Sequence, residues 1–361
     1  MSGGGATARP LRALLVDDSD ASLAGLARIL GGAPGLELVG TARDGEQALS
    51  QALSLQPDVV LLDLHMPRMD GFTFLRLLMA RRPTPVIVVS AWSSKADVFK
   101  SLELGAIEFV AKPEGEGGLA AFRDELLEKC AIVRALRIEN VDPHPVPALT
   151  PAPVRAMIEP ARVAVIGAST GGPQALAHVL AALPGDLPLG ILLAQHMPER
   201  FTRAFAERLG RGTRFAVKEA EEGDLVVEGR VLVAPGGHHL EVAGGGADGA
   251  LRASVAPRGR DGRTRYCPSV DRLFTSAARA LGARVCAVVL TGMGSDGRAG
   301  VAAVKAAGGL VLAESGRTAV VDGMPRSAAA TGAVDEVLDL AHVAARLAEF
   351  ARGEQVRPPG G

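Results

Sequence analysis

Apolar residues fall in short unbroken runs along this chain, separated by longer stretches of helical periodicity. Residues 11–16 are almost wholly apolar and stop at Asp17-Asp18. Residues 58–63 enclose Val59-Val60-Leu61-Leu62, residues 85–90 carry Val86-Ile87-Val88-Val89, and residues 108–113 form a fourth run. A strand that is apolar at every position is buried on both faces, the situation of a parallel sheet covered by helices on each side. A helical pattern over residues 120–137 closes this first region. Residues 140–160 carry Pro143, Pro145, Pro147, Pro151, Pro153 and Pro160, which reads as an extended, semi-rigid linker. A second alternating region follows, with strands expected at 162–167, 189–194, 230–234, 284–290 and 309–313. Residues 236–249 are rich in glycine and read as a turn or hairpin tip, and 299–307 as a helix. The expected fold class is therefore α/β, with two doubly wound parallel-sheet domains joined by a Pro-rich linker.

Composition narrows the function classes. The chain has 361 residues, 48% of them hydrophobic and only 3% aromatic. That length suits two domains, and small side chains suit helices packed closely on sheets. A net charge of −1 gives no electrostatic case for nucleic acid or a membrane surface. No apolar run is long enough to span a bilayer and no signal peptide opens the chain, so no membrane insertion and a cytoplasmic location are expected. Cys130, Cys267 and Cys286 match no metal spacing and are expected to be reduced and mostly buried. Met1 to Pro10 and Gln355 to Gly361 read as frayed ends.

Three carboxylates end predicted strands: Asp17 and Asp18 after one, Asp63 after another. In an open parallel sheet such ends converge at a crevice. Crowded carboxylates repel unless a hard divalent cation such as Mg²⁺ neutralises them. Asp63 could then attack a phosphoryl donor, Lys112 could pair with the added charge, and Ser90 could hydrogen-bond it. The plainer alternative is that the aspartates merely end strands and Lys112 is a surface charge. Finding the whole set at strand ends favours the acceptor reading.

A hydroxyl with a different character follows the run at 162–167. Ser169 lies in Gly167-Ala168-Ser169-Thr170-Gly171, where a strand gives way to a helix and backbone N–H groups can hold an oxyanion. A serine nucleophile needs a base and an orienting acid. His196 follows the apolar run at 189–194, although a solvated loop histidine is the competing reading. His238 and His239 could line the same crevice or sit in a turn. His178, His144 and His342 lie in helical or linker surroundings. Asp296 follows the run at 284–290, among glycines that let backbone approach a ligand closely. Its simpler role would be N-cap of the next helix.

Two resemblances can be placed on these residues. Residues 11–130 resemble a response-regulator receiver domain, through Leu15-Val16-Asp17-Asp18-Ser19, the stretch from Asp63 to Gly71, Ser90-Ala91 and Phe109-Val110-Ala111-Lys112-Pro113. The resemblance implies a flavodoxin-like fold, phosphorylation of Asp63, and Mg²⁺ held by Asp17, Asp18, Asp63 and the backbone carbonyl of His65. It also implies switch residues at Ser90, Phe109 and Lys112, and a chemotaxis histidine kinase as phosphodonor. Residues 162–350 resemble the catalytic domain of the CheB family of chemotaxis protein-glutamate methylesterases. The motifs are Gly167 to Pro173, Gln195-His196-Met197-Pro198, Ala234-Pro235-Gly236-Gly237, Cys267-Pro268-Ser269-Val270-Asp271 and Leu290 to Gly297. That resemblance implies a Rossmann-like domain over 161–350, a linker over 131–160, and a triad of Ser169, His196 and Asp296. The amides of Thr170 and Met293 become the oxyanion donors. Implied substrates are methyl esters of chemoreceptor glutamates, and receptor glutamines for deamidation. No cofactor is implied for the esterase step, and phosphorylation of the receiver regulates it. A phosphorylation-gated binding protein with a silent catalytic domain is the rival from another class. Three intact triad residues argue against it.

Overall fold

The structure is a computed structural model that describes residues 9–90, 95–113, 118–141, 149, 158–244, 249–259 and 266–354. The chain divides into two compact units, residues 1–145 and 146–361. The first alternates β1 (Leu11–Val16), α1 (Asp20–Gly31), β2 (Leu36–Ala42), α2 (Gly45–Leu55), β3 (Val59–Leu62) and α3 (Gly71–Arg81). It continues with β4 (Val86–Ser90), α4 (Lys95–Glu103), β5 (Glu108–Ala111) and α5 (Leu119–Ile132). The sheet order is β2-β1-β3-β4-β5, all parallel. Winding reverses between β1 and β3, so the crevice of this unit opens where Asp17 and Asp63 leave the sheet.

β3 and β4 are buried at every position, as unbroken apolar runs require. β2 does not stand out in the sequence because it is an edge strand, mostly half-exposed, with Glu37, Gly40 and Thr41 interrupting it. Helix starts are set by side-chain caps from Ser19, Asp44 and Asp70. Asp70-Gly71 also fixes the acceptor loop. A Cβ at Gly71 would lie 2.6 Å from the Asp63 carbonyl and 2.7 Å from Leu64 Cα, so only glycine lets α3 begin there. α5 ends at Ile132, short of the expected 137, and a 3-10 turn over Val133–Ala135 follows. Most of the proline-rich stretch, 142–148 and 150–157, lies outside the described residues.

The second unit runs β6 (Arg162–Ala168), α6 (Gly172–Ala182), β7 (Leu189–Gln195), α7 (Thr202–Arg211), β8 (Ala216–Glu219) and β9 (Arg230–Val233). β10 (His238–Ala243) and β11 (Arg252–Pro257) follow, then α8 (Val270–Leu281), β12 (Val285–Val289), α9 (Arg298–Ala306) and β13 (Leu310–Glu314). The unit closes with α10 (Gly323–Ala329), β14 (Glu336–Leu338) and α11 (Leu340–Arg352). Seven strands form one parallel sheet, β14-β13-β12-β6-β7-β9-β8. Winding reverses between β6 and β12. The core on one face packs Leu273, Phe274 and Ala277 of α8 against Val163, Val165, Leu192 and Val289.

The stretch 236–249, expected to be a turn or hairpin tip, includes the first strand of a hairpin as well as part of the connection that follows it. β10 and β11 form an antiparallel pair, with His239 opposite Ala256 and Val242 opposite Ala253. Glycines on both flanks mask a strand in which His239, Leu240 and Val242 are buried. β8 and β14 were also not expected. Both are edge strands in which few positions are covered, and partial burial leaves no apolar run to read.

Candidate active site and acceptor site

The first unit gathers Asp17, Asp18 and Asp63 at the ends of β1 and β3, with one oxygen of each inside a 4.8 Å cluster. Asp17 is buried, Asp63 half-buried and Asp18 exposed. Lys112, just past β5, reaches over them. Its ammonium bonds Asp17 Oδ2 at 2.8 Å and also bonds Asp63 Oδ2. Burial works to strip its proton, but the two carboxylates outweigh this and push Lys112 above the usual lysine range. Ser19 N–H donates to Asp17 Oδ1 at 3.0 Å, and His65 N–H to Asp63 Oδ1 at 3.3 Å. The His65 imidazole pairs with Asp97 of α4 at 3.1 Å, so this residue has its backbone carbonyl, not its ring, to offer a cation. Three clustered carboxylates are a hard-oxygen donor set that fits Mg²⁺. Ser90 ends β4 with its hydroxyl buried and without a hydrogen-bond partner among the described residues. Phe109 is buried on β5. Ala91 lies outside the described residues.

In the second unit, Ser169, His196 and the loop bearing Asp296 follow β6, β7 and β12, three adjacent strands. Parallel pairing sets the serine beside the histidine: His196 N–H donates to the Ala168 carbonyl at 3.0 Å. The Gln195 amide donates to the carbonyls of both Ser169 (2.9 Å) and His196 (3.1 Å). On the other side, Ser169 N–H donates to the Thr291 carbonyl at 3.0 Å. A Cβ at Gly292 would lie 2.8 Å from Ser169 Cβ, so this loop can approach the serine only as glycine. His196 Nε2 and Asp296 Oδ2 are 2.8 Å apart. The other ring nitrogen, Nδ1, is buried with no hydrogen-bond partner among the described residues.

Asp296 is buried and heavily solvated by protein. Oδ1 accepts from Ser269 Oγ (3.1 Å), Asp271 N–H (3.0 Å) and Gly297 N–H (3.1 Å), and Oδ2 from Val270 N–H (2.8 Å). Burial pushes this carboxyl up, but the His196 contact and the amides of Asp271 and Val270 outweigh it and hold the group below the usual carboxylate range. It is therefore a fixed anion beside the imidazole. It does not cap α9, whose N-cap is Gly297 with no side-chain bond. The acid is held by the start of α8, the stretch Ser269-Val270-Asp271. Backbone donors of this kind carry no residue-type signature.

The loop after β12 is braced from behind. Thr291 Oγ1 donates to the Thr170 carbonyl at 2.9 Å and accepts from Val321 N–H at 2.9 Å. Gly292 N–H donates to the Val321 carbonyl at 2.8 Å, and Met324 N–H to the Gly292 carbonyl at 2.7 Å. These bonds fix the peptide that leads to Met293, which is half-buried. Thr170, the other expected oxyanion donor, is buried beside Ser169.

A further acid, Glu314, ends β13 fully buried and accepts from Thr291 N–H at 2.8 Å and Thr318 Oγ1 at 3.0 Å. Burial pushes its carboxyl up to about 7; those two donors pull the other way, and Asp339 adds to the rise. A folded-state value above the unfolded 4.5 means stability that is full below pH 4.5 and lost as pH climbs to about 7. The loss is on the order of 3 kcal/mol. Glu314→Gln, which cannot ionise, is expected to unfold at the wild-type temperature near pH 4.5 and at a higher temperature at pH 8. Thermal melts at the two pH values, following the second unit, check this. An equal difference at both would remove the ionisation as its cause.

The remaining candidates stand apart from this arrangement. His238 Nδ1 lies 3.2 Å from the Gly236 carbonyl, while His239 is fully buried on β10 and burial pushes its ring below the usual histidine range. Cys130 and Cys286 are buried, and burial pushes Cys130 up to about 12 and Cys286 upward as well. Neither is a thiolate nucleophile. Roles for Gln195, Ser269, Glu314 and Tyr266 did not follow from sequence. Tyr266 stacks on the His196 ring, with centroids 4.5 Å apart and planes 4° from parallel.

Known proteins match both units. The family model for CheB methylesterase matches residues 164–347, and that for the response regulator receiver domain matches residues 13–122. The chain is 67% identical over 349 residues to protein-glutamate methylesterase/protein-glutamine glutaminase 6 of Anaeromyxobacter dehalogenans, covering 95% of this chain and 97% of the relative. It is 48% identical over 347 residues to protein-glutamate methylesterase/protein-glutamine glutaminase 1 of Myxococcus xanthus, covering 94% and 96%. The crystal structure of the Thermotoga maritima CheB methylesterase catalytic domain is 38% identical. It covers 52% of this chain and 98% of its own, with a TM-score of 0.50.

Proposed function

This chain belongs to the CheB methylesterase family, and from that premise we propose that Ser169, His196 and Asp296 are the catalytic triad of its second unit. The chain is a protein-glutamate methylesterase and protein-glutamine glutaminase with a receiver domain. The domain ranges that fit this reading are a receiver over 11–130, a linker over 131–160 and a catalytic domain over 161–350. The observation that carries the triad is the His196 ring, anchored through Nε2 on the ionised Asp296 while Nδ1 has no other partner among the described residues. With its proton on Nε2, the imidazole offers Nδ1 as base. Ser169 Oγ attacks the γ-ester carbonyl as its proton passes to Nδ1. The tetrahedral oxyanion is held by the amides of Thr170 and Met293. His196 returns the proton to the departing methoxide, and methanol leaves. Water, deprotonated by the same nitrogen, then attacks the acyl carbon, and His196 returns that proton to Ser169 Oγ as the glutamate leaves. With a glutamine substrate the leaving group is ammonia.

In the receiver, the acceptor is the Asp63 carboxylate, which attacks the phosphoryl group of a donor such as a chemotaxis histidine kinase. Asp17, Asp18, Asp63 and the His65 carbonyl would hold Mg²⁺, which supplies charge neutralisation to the transferring phosphoryl group. Lys112, already bonded to Asp17 and Asp63, pairs with the new dianion, and the Ser90 hydroxyl, without a partner among the described residues, supplies a donor. Phe109 takes part in the switch with Ser90. Among the described residues no helix is long and apolar enough to cross a membrane. A cytoplasmic site of action on the methylated segments of chemoreceptors suits this reading.

The direct experiment is methanol release from methylated receptor by the full chain, with and without acetyl phosphate and Mg²⁺. Release that rises with the phosphodonor is expected; no release at all would refute the esterase reading. Asp296→Asn is expected to lose about 10³–10⁴-fold in kcat. From sequence, an asparagine could still orient the ring. In the structure its NH₂ must face donors whichever way it turns, because both Asp296 oxygens accept backbone N–H groups. Loss of only a few-fold would show that Asp296 does not set the tautomer.

A further inference from the structure

Among the described residues, His196 is tied to the protein by one side-chain hydrogen bond, that to Asp296. A ring held at one corner can still swing about that contact, and a swing of 10–20° is enough to spoil proton transfer. The face of the ring is where the missing restraint must act, and Tyr266 lies there, almost parallel at 4.5 Å between centroids. Tyr266 begins the same strap, residues 266–271, whose Ser269, Val270 and Asp271 donate to Asp296. One short segment therefore fixes both the acid and the plane of the base. The far end of the phenol meets the second wall of the site. A Cβ at Gly294, whose φ is +94°, would lie 2.4 Å from the Tyr266 hydroxyl oxygen. That glycine is the residue after Met293.

We infer that Tyr266 is a positioning residue for the hydrolysis: its ring face holds the His196 imidazole in the orientation set by Asp296, while its hydroxyl end seats against the Met293 loop. The inference rests on His196 being the general base. Stacking adds more than rigidity, because the ring becomes an imidazolium as Ser169 attacks. An aromatic face within about 6 Å stabilises such a cation, more so where water is thin. The benefit appears only as charge develops, so it acts on kcat and leaves substrate binding alone.

The test is steady-state methanol release by the full chain from a peptide carrying γ-methyl glutamate. Tyr266→Leu keeps apolar bulk and loses the aromatic face; Tyr266→Phe and Tyr266→His keep a flat ring. Tyr266→Leu is expected to lower kcat about tenfold with KM unchanged, while Tyr266→Phe stays within about twofold of wild type. Should the leucine variant fold poorly, Tyr266→His, still flat and aromatic, is expected to recover most of kcat. His196→Ala is assayed beside them. An inactive His196→Ala with a fully active Tyr266→Leu would overturn the role of Tyr266 alone. A phenylalanine or histidine variant as impaired as the leucine one, or an effect confined to KM, would also overturn it. An active His196→Ala would instead remove the base on which the inference stands.

Discussion

Ser169→Ala is expected to lower methanol release from methylated receptor by about 10⁴-fold or more while leaving the second unit folded. The structure makes this a clean substitution. The Ser169 N–H is bonded to the Thr291 carbonyl, and the Ser169 carbonyl accepts from Gly172 N–H at 2.8 Å and from the Gln195 amide. All three are backbone bonds at residue 169, and alanine keeps them. Only Oγ is lost. His196→Ala is expected to be as inactive, with Asp296 still satisfied by Ser269, Val270, Asp271 and Gly297. Because triad members act as a unit, the double variant should be no worse than either single one. Circular dichroism confirms the fold, and kcat reads the chemistry. Activity within roughly tenfold of wild type would place the nucleophile elsewhere.

Asp63→Asn is expected to abolish incorporation of base-labile phosphate from acetyl phosphate and Mg²⁺, with basal esterase activity preserved. Asp63 lies in a loop shaped by Gly71 and shares Lys112 with Asp17. In the variant Lys112 retains Asp17, so the desolvated ammonium keeps a counter-charge and the unit is expected to stay folded. An amide cannot form the acyl phosphate. Chelation of Mg²⁺ should stop labelling in the wild type while methanol release continues, since the proton path there runs between Ser169 and His196. Labelling that survives in Asp63→Asn would assign the acceptor to another residue, with Asp17 and Asp18 the nearest carboxylates.

What the sequence made legible follows from where burial is complete. β1, β3, β4, β6, β7 and β12 lie inside their sheets, are covered on both faces and so appear as unbroken apolar runs. The candidate residues sit where those runs end: Asp17, Asp63, Ser169, His196 and the loop of Asp296. Reading the strands therefore also placed the candidates. β2, β8 and β14 are edges, pair on one side only and carry mixed residues. β10 was hidden between glycines.

The support of the site was less legible for a different reason. Ser269 and the amides of Val270, Asp271 and Gly297 act on Asp296 through groups that any sequence has, or through a hydroxyl that also caps α8. Glu314 looks like the polar end of a strand until its bond to the Thr291 amide is seen. Tyr266 lies 70 positions beyond the ring it stacks on, and no periodicity links the two.

The reversal of winding between β6 and β12 has a consequence for synthesis of the enzyme. Ser169 and His196 are both in place once the chain has been made through β7, but Asp296 and Met293 arrive about a hundred residues later, after β12 has paired with β6 on the side away from β7. The strap that cradles the acid, Ser269 to Asp271, is also late. On the triad proposed above, a nascent chain emerging from the ribosome carries nucleophile and base for about half of the domain's translation, yet has neither the orienting anion nor the loop of Met293. Activity is born with the last half of the sheet. On that assignment, a chain cut short of β12 is expected to release little methanol from methylated receptors.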